Sequence, residues 1–173
     1  MAKKYYVWNS RSFGYLPREL YFLDANVLIN AAFIGVGHYI RIVESNLSYC
    51  CTEEIVKEVR KIGEKEFNGV GMDYFENLLE KENFSRLEIS DKRGLKTKEL
   101  NRALSMRGIS HEDKELITLL WMGLMNGKKY HIISSDHHII DNVHLNSLLK
   151  KYSIDPSGVV YHPKDFAESL IQS

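Results

Sequence analysis

Four acidic side chains stand where they could assemble a reactive site: Asp24, Glu58, Asp113 and Asp136. Asp24 and Asp136 each follow a short apolar run that is typical of a buried strand. Asp113 lies in the first turn of one predicted helix, and Glu58 lies in the second turn of another. Functional groups of open parallel sheets collect at the carboxyl ends of the strands, so we expect the four carboxylates to face one crevice.

Electrostatic repulsion limits what such a cluster can be. Two carboxylates about 4 Å apart repel by roughly 4 kcal/mol at an effective dielectric constant of about 20, so the group would protonate or separate unless a cation joins it. Oxygen ligands without histidine or thiolate partners select hard ions, which indicates Mg²⁺ or Mn²⁺. Such ions bind phosphates and lower the pKa of a coordinated water, which suits attack on a phosphodiester.

Each of these acids also has an ordinary structural explanation. Asp24 can form an Asx turn, and Ser110 with Asp113 fits a variant of the capping box. A helical glutamate such as Glu58 is usually solvated, and other glutamates of the same helix compete for its position. The functional interpretation therefore depends on all four acids occupying equivalent places in consecutive units of the fold.

The elements that must position these acids alternate along the chain. Short strands are predicted at residues 20–28 (running into a turn or helix), 47–51, 87–89, 130–134 and 159–161. Amphipathic helices are predicted at residues 52–62, 72–81, 96–107 (stopped by Gly108), 110–127, 137–152 and 165–171. This alternation predicts an α/β fold in three layers, with a central parallel sheet and helices on both faces.

Composition and charge bound the class of protein. The 23 basic residues balance the 23 acidic ones, so any electrostatic footprint for nucleic acid must be local. The sequence contains no apolar stretch of about 18 residues and no apolar core of a signal peptide, which predicts a protein without a membrane segment. The adjacent Cys50 and Cys51 do not suit a disulfide framework, so we expect a cytoplasmic location.

Four motifs are similar to those of the PIN-domain nuclease family. Residues 22–28, Phe-Leu-Asp-Ala-Asn-Val-Leu, resemble the family's strand that ends in Asp-x-Asn, and residues 55–59, Ile-Val-Lys-Glu-Val, resemble its helical glutamate. Residues 113–117 resemble the aspartate that opens an apolar helix. Residues 134–136, Ser-Ser-Asp, resemble its strand-end Thr-x-Asp, with serine in place of threonine. The resemblance covers about residues 20–170.

The resemblance implies a metal-dependent endoribonuclease in which water attacks single-stranded or structured RNA. The residues that it implies as catalytic metal ligands are Asp24, Glu58, Asp113 and Asp136, with Asn26 and Ser134 in support. By analogy with toxin members of the family, the role is either a toxin held by an antitoxin-type protein or an RNA-processing enzyme. Ile139, where the family often has an aromatic residue, and the intervening His137-His138 leave the substrate contacts open.

Two other function classes are compatible with the same residues. One is a non-catalytic RNA- or protein-binding module that keeps the fold without metal chemistry. The other is a metal-dependent DNA nuclease or phosphatase that uses the same acids on a different substrate. Zinc is disfavoured, because the adjacent His137 and His138 lack the helical spacing of zinc ligands.

Two further segments carry expectations. The stretch from 92 to 107 is locally basic, and Lys96, Lys98, Arg102 and Arg107 could guide RNA phosphates toward the acids, although a solvated helix face explains them as well. Residues 1–19 are an aromatic and basic extension ahead of a nuclease-like domain at 20–173. An extra edge strand or a homodimer contact is favoured over base stacking for this extension.

Overall fold

Parallel strands form the centre of the molecule in a computed structural model that describes residues 5–8, 16–90 and 98–172. The strands are β1 (Tyr5–Trp8), β2 (Glu19–Leu23), β3 (Tyr49–Thr52), β4 (Phe84–Ile89), β5 (Lys129–Ile133) and β6 (Val160–Tyr161). They form one sheet in the order β1-β4-β3-β2-β5-β6, and each neighbouring pair is parallel. The α/β fold in three layers is therefore confirmed.

Helices connect these strands. They are α1 (Ala25–Ile29), α2 (Gly37–Val43), α3 (Glu53–Phe67), α4 (Met72–Glu80), α5 (Asn101–Leu104), α6 (His111–Met125), α7 (His137–Ile140), α8 (Val143–Lys151) and α9 (Pro163–Gln172). A π-helical turn, Asn30–Ile34, continues α1, and a 3-10 turn, Lys98–Leu100, precedes α5. Within the described ranges, no single helix has both the length and the apolar content needed to cross a membrane.

The sheet reverses its order beside β2, and this reversal positions the acids. The chain moves from β2 to β3 and β4 on one side, whereas β5 and β6 lie on the other side. Leu23 and Ile133 are register partners at the ends of β2 and β5, so the residues that follow them are neighbours. Crevices at such switch points are where open α/β sheets bind ligands.

The α6 helix packs closely on this sheet through a glycine. A Cβ atom built on Gly123 would lie 2.0 Å from the ring of Tyr130, which is fully buried on β5. The ring of Tyr130 in turn contacts that of Phe22 on β2, with 5.3 Å between centroids. The absence of a side chain at Gly123 therefore lets the helix approach β5 and, through the Tyr130 ring, β2.

The predicted helix at 96–107 is shorter in the structure, where Lys98–Leu100 form the 3-10 turn and Asn101–Leu104 form α5. Residues 91–97 lie outside the described residues, and α5 ends at Leu104. In a continuing helix the Ala103 carbonyl would accept from the backbone N–H of Arg107, but it accepts instead from the side chain of Asn142 at 2.9 Å. Gly108 lies four residues beyond the end of α5, so it does not cap the helix that it was expected to stop. Its φ of 82° belongs to the turn before α6.

The predicted helix at 137–152 is helical over most of its length but is not continuous, because the structure divides it into α7 and α8. Asn142 is fully buried at the break, and its amide donates to the His138 carbonyl at 3.0 Å. Its Oδ1 atom accepts from the backbone N–H of Leu145 and caps α8. The side chain of Asn142 thus replaces the backbone hydrogen bond that would have continued the helix.

The beginning of the chain contributes an edge strand. Strand β1 pairs with β4, with Tyr5 opposite Arg86, which agrees with the edge-strand alternative for the N-terminal extension. The aromatic residues Phe13 and Tyr15, considered for base stacking, lie outside the described residues. The helical run from Ala25 to Val43 was not predicted beyond Leu28.

Candidate metal centre

Three aspartates from three separate elements meet at the carboxyl edge of the sheet. Carboxylate oxygens of Asp24, Asp113 and Asp136 lie within 4.8 Å of one another. Asp24 and Asp113 are buried, and Asp136 is partly exposed. Each stands at the beginning of a helix, where backbone N–H groups and the helix dipole favour negative charge.

The hydroxyl of Ser134 joins two of these aspartates. Its Oγ atom donates to Oδ2 of Asp24 at 2.6 Å and accepts from the backbone N–H of Asp136 at 3.0 Å. Asp24 caps α1, and its Oδ1 atom accepts from the backbone N–H of Ala25 at 2.7 Å. Both oxygens of Asp24 are therefore held in place, one by Ser134 directly after β5 and the other by Ala25 of α1.

Asp113 enters the centre from the first turn of α6. Ser110 caps this helix and accepts from the backbone N–H of Asp113 at 3.1 Å. The Oδ2 atom of Asp113 is buried and has no hydrogen-bond partner among the described residues. A buried carboxylate oxygen without a partner costs free energy, so this atom fits a cation ligand.

Burial and mutual repulsion raise the pKa of both buried aspartates, Asp113 and Asp24. Burial, followed by the charges of Asp24 and Asp136, raises the pKa of Asp113 to about 7. Burial also raises the pKa of Asp24, although hydrogen bonds from Ser134 and Ala25 oppose the change. Without a cation, the centre therefore retains a proton near neutral pH that a divalent ion would displace.

Asp136 is held by the histidine two residues later. Burial alone would raise the pKa of Asp136, but hydrogen bonds from the backbone N–H and the ring of His138 outweigh burial, and the pKa is lowered. Both bonds to Oδ1 of Asp136 are 2.8 Å long. The other ring nitrogen of His138 lies 3.1 Å from the carbonyl oxygen of Arg107. His138 thus connects Asp136 to the loop before α6.

Glu58 lies near this centre but outside the group of three aspartates. It is half-buried on α3, and burial raises its pKa, with further contributions from the charges of Glu112 and Asp24. Its role as a ligand stays a prediction. Glu112 was not considered from the sequence, yet its charge acts on both Glu58 and Asp24. The sequence did contain one indication of Glu112, which precedes Asp113 in the first turn of the helix capped by Ser110.

The remaining predicted site residues are more peripheral. Asn26 is exposed on α1, and in the described ranges no hydrogen bond joins its side chain to the three aspartates. Lys98, Arg102 and Arg107 are exposed, whereas Lys96 lies outside the described residues. Of these cations, Arg107 has the most direct connection to the centre, through the bond of its carbonyl group to His138.

A histidine-containing group also lies here. Ligand atoms of Asp136, His137 and His138 come within 4.8 Å of one another, which the sequence did not lead us to expect of adjacent histidines. Both ring nitrogens of His138 already contact acceptors, Asp136 and the Arg107 carbonyl. A metal ion held by this group would have to break one of those contacts, so the aspartate group is the better candidate.

The fold and the centre define an α/β protein with a carboxylate group that could hold a metal ion. Comparison of the chain with protein-family models, with curated proteins and with solved structures finds no match to any of them. What the centre can do chemically is therefore argued from its own residues.

Proposed function

We propose that this protein is a metal-dependent endoribonuclease that hydrolyses phosphodiester bonds with Mg²⁺ or Mn²⁺. The convergence of Asp24, Asp113 and Asp136 carries the proposal, because three clustered carboxylates with a buried unpartnered oxygen favour a hard divalent cation. RNA as the substrate rests on the resemblance to PIN-domain nucleases. A cytoplasmic location, a homodimer and an antitoxin-type protein partner stay predictions.

The roles of the side chains follow from their contacts. Asp24, Asp113 and Asp136 would hold the ion, with Glu58 close enough to share its charge. When bound, a divalent ion would lower the pKa of a water ligand and offset the charge of the phosphate. Ser134 orients the carboxylate of Asp24. No protein nucleophile is required, since water is the attacking group.

A cleavage assay tests this proposal. Labelled single-stranded RNA and DNA of one sequence are incubated with the full chain and Mg²⁺, Mn²⁺ or EDTA, and the products are separated by length. We expect internal cleavage of RNA with either metal and none with EDTA. Asp24→Asn and Asp136→Asn should abolish cleavage, because each removes a ligand charge. Asp73→Asn, the same change at an exposed site on α4, should retain it.

Each contrary result has a definite meaning. Normal metal-dependent cleavage by both site variants would overturn the assignment of the centre. Cleavage of DNA alone would make the protein a DNA nuclease. A folded preparation that binds metal but cleaves neither substrate would contradict the nuclease and favour the non-catalytic binding module.

Metal binding can be measured without activity. A ligand that binds only the folded state stabilises it by about 2.7 kcal/mol at a concentration about 100 times its dissociation constant. We therefore expect Mn²⁺ or Mg²⁺ to raise the thermal unfolding midpoint of the unmodified chain and of Asp73→Asn. Asp113→Asn should lose most of this increase, and an equal increase in that variant would place the ion elsewhere.

A further inference from the structure

A cationic groove lies between the start of α5 and α8. Its volume is about 280 Å³, and its polar lining is Glu99, Arg102, His144, Ser147 and Lys151. Its two permanent positive charges exceed its one carboxylate. That carboxylate, on Glu99, already accepts a hydrogen bond from the hydroxyl of Tyr152 at 2.7 Å. The groove therefore offers an excess of positive charge and a hydroxyl group to a ligand.

Arg102 and Lys151, the two permanent cations of the groove, contribute no ion pair to the described part of the fold. In the part of the chain that the structure describes, neither Arg102 nor Lys151 has a carboxylate within ion-pair distance. Arginines elsewhere differ, since Arg60 and Arg86 each make two hydrogen bonds to a glutamate. The planar donor group of Arg102 thus remains available for a phosphate, which an arginine can bind through two parallel bonds.

The groove is rigidly connected to the metal centre. Ala103 lines the groove, and its carbonyl accepts a hydrogen bond from the side-chain amide of Asn142. The same amide also donates to the carbonyl of His138. The ring of His138 bonds Asp136 in the centre. From His144, near the corner of α7 and α8, the lining continues along one face of α8 to Lys151. Seven residues at 1.5 Å each place these two about 10 Å apart along the helix axis.

We infer that this groove binds the phosphate backbone of the RNA strand beside the bond that is cleaved, with Arg102 and Lys151 as its phosphate ligands. The inference rests on the proposed nuclease function and adds a second contact region to it. Ser147 supplies a neutral donor, and His144 lies in the first turn of α8, two residues after Asn142. The groove thereby extends the basic segment expected from the sequence onto α8, which that expectation did not include.

Binding measured without cleavage tests the groove. The full chain is titrated in EDTA against a fluorescent single-stranded RNA, and the affinity is followed by anisotropy at several salt concentrations. The double variant Arg102→Gln with Lys151→Gln should bind roughly tenfold more weakly, because hydrogen bonds to charged groups are lost. The slope of log affinity against log salt should fall by about 1.4, since each phosphate contact contributes about 0.7 on a single strand.

Matched variants separate this effect from net charge and from folding. Lys61→Gln with Lys65→Gln makes the same charge change on the exposed side of α3 and should leave the slope unaltered. Arg102→Lys with Lys151→Arg keeps both charges and should restore the slope. Unfolding midpoints equal to that of the unmodified chain show that each variant is folded.

The outcomes distinguish the groove from the nuclease proposal. If the unmodified chain cleaves RNA but the groove variant and the α3 variant have the same affinity and slope, the groove inference is wrong and the nuclease stands. If the unmodified chain neither binds nor cleaves RNA, both are wrong. A loss of affinity and slope confined to the groove variant supports the groove, whichever nucleic acid the centre cleaves.

Discussion

At the scale of single residues, the Ser134 hydroxyl has the most consequential position. It donates to one aspartate of the centre and accepts from the backbone of another, across 110 residues of sequence in the first case. Side chains that orient metal ligands usually matter nearly as much as the ligands themselves. The hydroxyl of Ser134 is therefore the group through which this residue orients the carboxylate of Asp24.

Replacing Ser134 tests this orienting role. Ser134→Ala should weaken divalent metal binding by about 10-fold to 100-fold, because the Asp24 carboxylate loses its neutral donor. Ser134→Thr keeps the hydroxyl and should stay close to the unmodified chain. Calorimetric titration with Mn²⁺ measures both affinities. Equal weakening by threonine and alanine would point to packing, not the hydrogen bond, as the contribution of this residue.

Asp113 should make the stability of the metal-free protein depend on pH. Its folded-state pKa of about 7 lies above the ordinary value of about 3.9, so the folded state binds the proton more tightly. Its contribution to stability is fully present below about pH 4 and is lost as the pH rises through 7, with a slope of at most about 1.4 kcal/mol per pH unit.

Denaturant unfolding in EDTA between pH 4.5 and pH 8 checks this dependence. The difference in unfolding free energy between Asp113→Asn and the unmodified chain should grow with pH in favour of the variant. Divalent metal should reduce that difference, because the cation replaces the proton in the unmodified chain only. A difference that does not change with pH would mean that Asp113 is already ionised in the folded protein.

At the scale of elements, Asn142 determines where one helix ends and the next begins. Its side chain satisfies two carbonyls and one backbone N–H group from α5, α7 and α8. Asn142→Ala should lower the free energy of unfolding by about 2 to 4 kcal/mol, because it removes a cap and leaves buried carbonyls without donors.

Urea unfolding compares that variant with Asn77→Ala, an exposed asparagine on α4. The control should change the unfolding free energy by less than about 0.5 kcal/mol. Equal losses of unfolding free energy in the two variants would mean that the buried hydrogen bonds of Asn142 contribute no more to stability than an exposed asparagine does.

Asn142 also illustrates what the sequence could and could not predict. The helix beginning at Ser110 and the strands before Asp24 and Asp136 were predictable, because caps and apolar periodicity are local signals. The early end of α5 coincides with a hydrogen bond between residues 39 positions apart, which no local pattern contains. The division at Asn142 rests on local bonds to His138 and Leu145, but apolar periodicity alone does not reveal them. Glu112 was missed for a similar reason, since its electrostatic interaction with Glu58, 54 positions away, arises only in the folded chain.

At the scale of the whole molecule, the close approach of α6 to the sheet sets the position of Asp113. The approach depends on Gly123, at the other end of that helix from Asp113. Gly123→Ala would place a methyl group against the buried Tyr130 ring and should cost about 1 to 3 kcal/mol in unfolding free energy, despite the better helix propensity of alanine.

Gly37→Ala is the matched control, because a Cβ atom there meets nothing within 4 Å at the start of α2. It should leave stability unchanged or raise it by up to about 1 kcal/mol. Thermal and denaturant unfolding measure both variants. An unaltered unfolding free energy in Gly123→Ala would show that the Tyr130 ring can move aside without loss.

The central pairing of β2 with β5 unites distant parts of the polymer. The stretch up to Ser90 carries Asp24 and Glu58, whereas the stretch from Lys98 carries Asp113 and Asp136. Two separately produced fragments would each carry two of the four acids, and neither fragment alone should bind a divalent metal. If the proposed centre binds Mn²⁺, recovery of that affinity when the two fragments are mixed would report their reassembly.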